Sequence, residues 1–277
     1  MIKLLVDSAS DILYTNTEDI IVVPLSVNIG DKNYLDGIDL NHEKFYHYLT
    51  QNELFPKTSQ PSPQAFVDEF EKIKEAGDEV ICILLSSGIS GTYQSGNLAK
   101  SIVDYDKIHV VDSLTGAAGV KLLVLEAKKC IEKGMNAKEI VERLEDLKTR
   151  VQVLLSVDTL DYLYKGGRLD KKSAVIGNLA KVKPVIEVTR EGKINVLAKT
   201  IGTVKVMNKI VDIMNEREVD KNYPVYTIHT YGAKNVEKLE SKINAAGYSV
   251  HTRDQLGPVV GTHLGPEAFG TIFVSKK

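Results

Sequence analysis

The sequence predicts an α/β protein in two parts. Residues 1–151 form an α/β unit with a mostly parallel sheet between helices, and residues 152–277 an α+β unit with a mixed or antiparallel sheet. Three observations carry this. The first half alternates short β-rich runs with helical patterns, the signature of parallel strands joined by crossover helices. Its strand runs, such as V-I-C-I-L-L at 80–85, are apolar throughout, as expected when both sheet faces are covered. The second half instead places two β runs around the turn-like R-E-G-K at 190–193, the pattern of an antiparallel hairpin.

In order along the first half, strands are expected at Ile2–Val6, Ile20–Val27, Val80–Leu85 and Ile108–Val111. Helices are expected at His42–Gln51, Pro63–Ala76, Thr92–Val103, Thr115–Lys133 and Ala137–Arg150. Pro63 suits a helix start because its missing N–H has no partner to find there. In the second half, Val151–Val157 reads as a strand and Asp158 opens a helical stretch to about Tyr164. The hairpin strands are Val182–Thr189 and Ile194–Thr200, followed by a helix near Thr203–Arg217. Strand Val225–His229, helix Ala233–Ala246, strand Tyr248–Arg253 and strand Thr271–Ser275 complete the chain, and the boundary between the parts falls near Thr149–Ser156.

The chain has 277 residues, 43% hydrophobic and 26% charged, the balance of an ordinary soluble globular protein. A net charge of −2 provides no field to hold nucleic acid or an anionic surface, and without tryptophan a stacking platform for single strands is not expected. The opening run M-I-K-L-L-V stops at Asp7, too short for a signal peptide, and no stretch approaches the ~20 apolar residues of a membrane span. A cytoplasmic protein is therefore expected. Cys82 and Cys130 have no neighbouring Cys or His partner and read as buried thiols.

The densest chemical signal is L-L-S-S-G-I-S-G-T-Y-Q-S-G at 84–96. A strand that breaks into small hydroxylated residues and feeds a helix presents N–H groups and a positive helix end at one point, a seat for an anion. The same pattern also serves as a plain strand-to-helix connection, and both readings stand at this level. Other loop-like segments are D-S-A-S-D at 7–11, T-S-Q-P-S at 58–62, D-S at 112–113, K-G-G-R at 165–168 and G-P-V-V-G-T-H-L-G-P at 257–266. In an open α/β sheet the three segments at strand ends share one rim, where ligands bind. Asp7 and Asp112 are either ligands or helix caps worth about 1 kcal/mol apiece. Likewise Gly166-Gly167 is either a helix stop or a ligand loop, and the His263 loop either a tight connection or a close approach to a ligand. Templates for metals, G-x-S-x-G nucleophiles and nucleotide loops are absent, so neither a metal site nor a catalytic group is assigned. What remains is hydroxyls, backbone N–H groups, Arg168 and His263, an inventory suited to holding a carboxylate or phosphate. Two functional classes follow: a ligand-binding protein, or an enzyme using Asp7, Asp112 and His263 as acid–base groups on a small anionic metabolite.

Taken together, these segments, with L-Y-K-G-G-R at 163–168 and K-P at 183–184, resemble the DegV family, whose members include the fatty-acid-binding subunit of bacterial fatty acid kinase. The resemblance implies two α/β units with a fatty acid between them, its carboxylate at the junction and its tail in an apolar tunnel. By motif position the head-group ligands would be Thr58, Ser59, Ser90 with the N–H of Gly91, Arg168 and His263. A separate FakA-like kinase subunit would phosphorylate the carboxylate to an acyl phosphate. The expected partners are thus a long-chain fatty acid and that kinase, with transient membrane contact, no nucleic acid and no cofactor beyond the bound lipid. One departure is Glu267, where the family commonly has Gly; its carboxylate would repel the ligand, point outward or pair with a cation.

Overall fold

A computed structural model describes residues 1–12, 20–51, 55–170 and 182–276. Four strands form a wholly parallel sheet in the order β2-β1-β6-β7: β1 (Ile2–Asp7), β2 (Ile20–Val23), β6 (Glu79–Leu84) and β7 (Ile108–Asp112). One face packs on α2 (Pro63–Glu75) and α3 (Thr92–Val103), where Phe66, Phe70 and Ala99 meet Leu5, Val80 and Cys82. The other face packs on α4 (Ala118–Glu132) and α5 (Ala137–Lys148). Continuous apolar strands therefore follow from a sheet covered on both sides. Both cysteines are buried free thiols.

The second sheet has six strands in the order β10-β9-β8-β13-β11-β12: β8 (Val151–Ser156), β9 (Val182–Val188), β10 (Ile194–Ile201), β11 (Val225–His229), β12 (Val250–Gln255) and β13 (Phe269–Val274). All its pairs are antiparallel except β11–β12, so the sheet is mixed. Alternate residues divide its faces. Leu154, Phe269 and Phe273 pack on α7 (Thr203–Glu216) and α8 (Lys234–Ala245), whereas Val153, Leu155 and Ile272 join the core built on α4 and α5. Helices α4 and α5 are thus shared between the two sheets, in one continuous hydrophobic core.

Several expected elements change in detail. Ile20–Val27 is not one strand. It ends at Val23, Pro24 follows, and β3 (Ser26–Ile29) starts a separate sheet. Proline removes a ladder donor, which accounts for the break. In that sheet β3 pairs antiparallel with β4 (Lys32–Leu35) and β5 (Lys57–Ser59), so Thr58 and Ser59, expected in a loop, lie on a strand. The helix expected from Thr115 starts at Ala118. The Gly/Pro-rich segment expected as a loop contains a helix, α9 (Pro258–Leu264), with Pro258 in its first turn. Helix α1 (His42–Gln51) lies beneath it, and α6 (Asp161–Lys165) beside it.

Candidate functional site

Between the two sheets lies a cavity of about 720 Å³, counting the part open to solvent. Its walls are almost wholly apolar. The four-stranded side supplies Leu85, Gly116 and Ala117, and the β3 segment supplies Leu25. The six-stranded sheet supplies Val153, Leu155, Val188, Ile194, Ile228 and Ile272, and α9 supplies Val259, Val260 and Leu264. The polar side chains on the wall are Thr58, Ser90, Arg168 and His263. Four of the six residues expected at a head group therefore line one cavity, although they come from four separate segments.

Strand alternation sends Thr58 inward and Lys57 and Ser59 outward. Ser59 is exposed, and its hydroxyl accepts from Asn28 Nδ2 at 3.3 Å, away from the cavity wall. Thr58 Oγ1 lies 2.7 Å from His263 Nε2, so the histidine meets the threonine hydroxyl. His263 stands in the last turn of α9, and its Nδ1 is buried with no partner among the described residues. Burial, and then the neighbouring Arg168 charge, push its pKa down to about 3, so the imidazole is neutral.

Arg168 is aimed by the end of α6. Gly167 takes φ +74°, Gly167 N–H donates to Tyr164 O, and Arg168 N–H donates to Leu163 O. This is the paired closure of a Schellman motif, in which the αL residue is best supplied by glycine. The Gly-Gly pair is therefore a helix stop, and that stop sets the direction of the arginine. Arg168 Nε donates to Ile89 O at 3.0 Å and Nη1 to Gly166 O at 2.5 Å. No acidic side chain among the described residues pairs with it. Its pKa is lowered by burial, yet a guanidinium stays protonated at any ordinary pH. The cavity thus holds a partly desolvated cation whose hydrogen-bond partners among the described residues are neutral carbonyls.

Ser90 and Gly91 lie where β6 passes into α3. Ser90 Oγ lies 2.9 Å from Thr92 Oγ1 and accepts from Thr92 N–H. Gly91 is the N-cap of α3 and is not on the cavity wall; the Gln60 amide fills the space that its side chain would need. The loop before Ser90 is tied at both ends. Asp7 accepts from Leu85 N–H at 2.7 Å and Ala9 N–H at 3.0 Å, and Asp112 accepts from Ser87 N–H at 3.0 Å and Leu114 N–H at 3.2 Å. Both carboxylates fasten backbone N–H groups: Asp7 caps the short 3-10 turn Ser8–Ser10, whereas Asp112 caps no helix and instead ties the loop at 87 to the turn at 114. Among the described residues, no group of three or more His, Cys, Asp or Glu is placed to hold a metal ion. No helix among them is long and apolar enough to cross a membrane.

His263 titrates near 3 when folded and near 6.5 when unfolded. The unfolded chain alone takes up this proton between those values. The histidine's contribution to stability is therefore intact above about 6.5 and falls by up to about 1.4 kcal/mol per unit as pH drops towards 3. Buried Asp7 and Asp36 have pKa values raised to about 6 and about 7, chiefly by burial, and act in the opposite sense. Their contribution is present below about 3.8 and lost as pH rises through 6–7. Denaturant unfolding of His263→Gln beside the unaltered protein, from pH 4 to 7, isolates the histidine slope. Parallel pH dependence of the two proteins would contradict it.

The model of the DegV family matches residues 1–276. The chain belongs to the DegV family. A DegV domain-containing protein of Caldanaerobacter subterraneus subsp. tengcongensis is 36% identical to it over 279 residues, 99% of each chain. Among solved structures, a DegV family protein of Thermus thermophilus described as binding fatty acid is 30% identical over 99% of both chains, with a TM-score of 0.88. A stearic-acid-binding protein of Eubacterium ventriosum is 28% identical over 100% of this chain and 99% of the other, with a TM-score of 0.90. Both of these solved structures, which share this fold, are of proteins described as binding fatty acid.

In this DegV protein Glu267 is exposed and off the cavity wall, with Asp158 and Lys183 as its charged neighbours. Its pKa is raised by partial burial and by Asp158. Of the three outcomes open to it, outward orientation is realised. The wall residues Val153, Leu155, Val188, Ile194, Ile228 and Ile272 escaped sequence reasoning, because an apolar residue lining a cavity and one filling a core have the same side chain.

Proposed function

We propose that this DegV protein binds a long-chain fatty acid and presents its carboxylate to a separate, FakA-like kinase, which converts it to an acyl phosphate. The observation that carries the reading is the cavity itself: apolar walls and one polar corner with a cation whose partners among the described residues are carbonyls. Each buried CH₂ of an acyl chain contributes about 0.8 kcal/mol before ordering costs, so the tail supplies most of the affinity. The polar corner supplies orientation. Arg168 offsets the cost of desolvating the carboxylate, and its remaining N–H groups suit a charge-assisted contact. With the proton of His263 on Nε2, the Thr58 hydroxyl accepts from the ring and is free to donate to the carboxylate. His263 then orients Thr58 rather than touching the ligand first. Ser90 donates from the opposite segment, while Ser59 and Gly91 take part only through the backbone they belong to.

In this reading the units 1–151 and 152–277 meet at the ligand, and this chain is the carrier rather than the catalyst. The acceptor oxygen faces outward, and the kinase supplies ATP and the phosphoryl-transfer machinery. Asp7 and Asp112, the acid–base groups of the competing enzyme reading, are committed to backbone N–H groups. Mass spectrometry of lipid extracted from the purified protein is expected to recover a long-chain fatty acid in near-equimolar amount. Addition of a FakA-like kinase and ATP is then expected to yield acyl phosphate, trapped by hydroxylamine as the hydroxamate. Absence of bound acyl chains together with no uptake of added fatty acid would end the proposal. Uptake without hydroxamate would end the kinase part alone.

A further inference from the structure

The tip of the β9–β10 hairpin is seated on the loop that carries Ser90. Ser86 is fully buried, and its Oγ donates to Gly192 O at 2.8 Å while accepting from Gly88 N–H at 3.1 Å. Ser86 O accepts from both Ile89 N–H and Ser90 N–H at 3.0 Å, and Ser86 N–H donates to Thr115 O at 2.9 Å. This residue therefore sets the turn that places Ser90 and the Ile89 carbonyl, the latter being the acceptor of Arg168 Nε.

The approach on the hairpin side is too close for side chains. Gly192 has φ +72°, and a Cβ there would lie 2.0 Å from Ser86 Oγ. A Cβ at Gly88 would lie 2.6 Å from Gly192 O. Directly behind the tip, Val188 and Ile194 pair across the hairpin, and both line the cavity. One hydroxyl thus joins the head-group loop to the strands that wall the acyl site.

We propose that Ser86 and Gly192 form a latch, with Ser86 a positioning residue that fixes the head-group loop and closes the β9–β10 wall over the ligand. This inference rests on the fatty-acid reading for its ligand, but the latch itself is a property of the ligand-free fold. Three expectations follow for Ser86→Ala. Release of a bound fluorescent fatty acid quickens about ten-fold, the scale of losing one buried hydrogen bond and leaving its partner unsatisfied. The carboxyl resonance of bound [1-¹³C]palmitate shifts, because Ser90 and Arg168 no longer hold one geometry. Amide exchange rises together in residues 86–91 and 188–194, and this arm needs no ligand.

Gly192→Ala is expected to speed release as well. The Ser86→Ala/Gly192→Ala double variant should fall short of the sum, since removing the hydroxyl also removes the atom that the new methyl strikes. Unchanged release and an unchanged carboxyl resonance in Ser86→Ala, or additive effects in the double variant, would overturn the latch. If the unaltered protein takes up no fatty acid, the functional reading fails, and joint amide exchange of the two segments still decides the latch. Exchange confined to residues 86–91 would refute it.

Discussion

Replacing Arg168 by alanine is expected to lower fatty-acid affinity by about 100-fold or more, with the fold retained. Removing one member of a buried charge pair costs roughly 3–5 kcal/mol, because the carboxylate is left desolvated and unpaired. The ligand-free chain loses much less. It forfeits two hydrogen bonds, from Nε to Ile89 O and from Nη1 to Gly166 O, each worth about 1 kcal/mol net. The Schellman closure at Gly167 uses the backbone of residue 168 and survives the change. Arg168→Lys is not expected to restore binding, since an ammonium lacks the planar fork that serves Ile89 O and a carboxylate together. Titration with fatty acid, beside thermal unfolding of the same variants, separates the two effects. Full affinity in Arg168→Ala would remove the arginine from the site.

Gly261→Val is expected to destabilise the protein by about 3 kcal/mol, the upper part of the range for overpacking a core. Gly261 lies in α9 where it crosses α1. A Cβ there would stand 2.6 Å from Tyr46 Oη and 2.8 Å from Phe45 Cε1, two of the most deeply buried rings in the molecule. Neither ring has room to withdraw. Tyr46 Oη is itself held, donating to Leu256 O at 2.7 Å, and the adjacent Gly257 N–H donates to Asp11 Oδ1 at 2.8 Å. The helix must move instead, carrying His263 away from Thr58, so affinity is expected to fall along with stability. Chemical denaturation checks the first effect and fatty-acid titration the second. A denaturation midpoint equal to that of the unaltered chain would show that α9 does not depend on this contact.

The sequence was most legible where one signal has one meaning. Alternating apolar runs and helical patterns specified the parallel sheet, and R-E-G-K specified the β9–β10 hairpin. It was least legible where short segments are shaped by their neighbours. The small β4-β3-β5 sheet contains strands of three and four residues, and β5 joins it by pairing with β3 about thirty positions away. Helix α9 is only seven residues long, too short to be stable alone, and its glycines argue against a helix until α1 and α6 are packed on it.

The same division holds at the site. Thr58, Ser90, Arg168 and His263 could be named from residue type and order. Ser59 could not be separated from Thr58 until strand β5 fixed which of them faces inward. The sequence by itself determined the two-sheet α/β plan, the family, the absence of nucleotide and metal motifs, and an inventory suited to an anion. Only the tertiary structure decided that these groups share one corner, that His263 reaches Thr58, that Asp7 and Asp112 serve the backbone, and that Ser86 carries the hairpin tip. The physical reason is that periodicity and turn chemistry act over a few residues. Contacts such as Thr58–His263, 205 positions apart, exist only after several elements have packed.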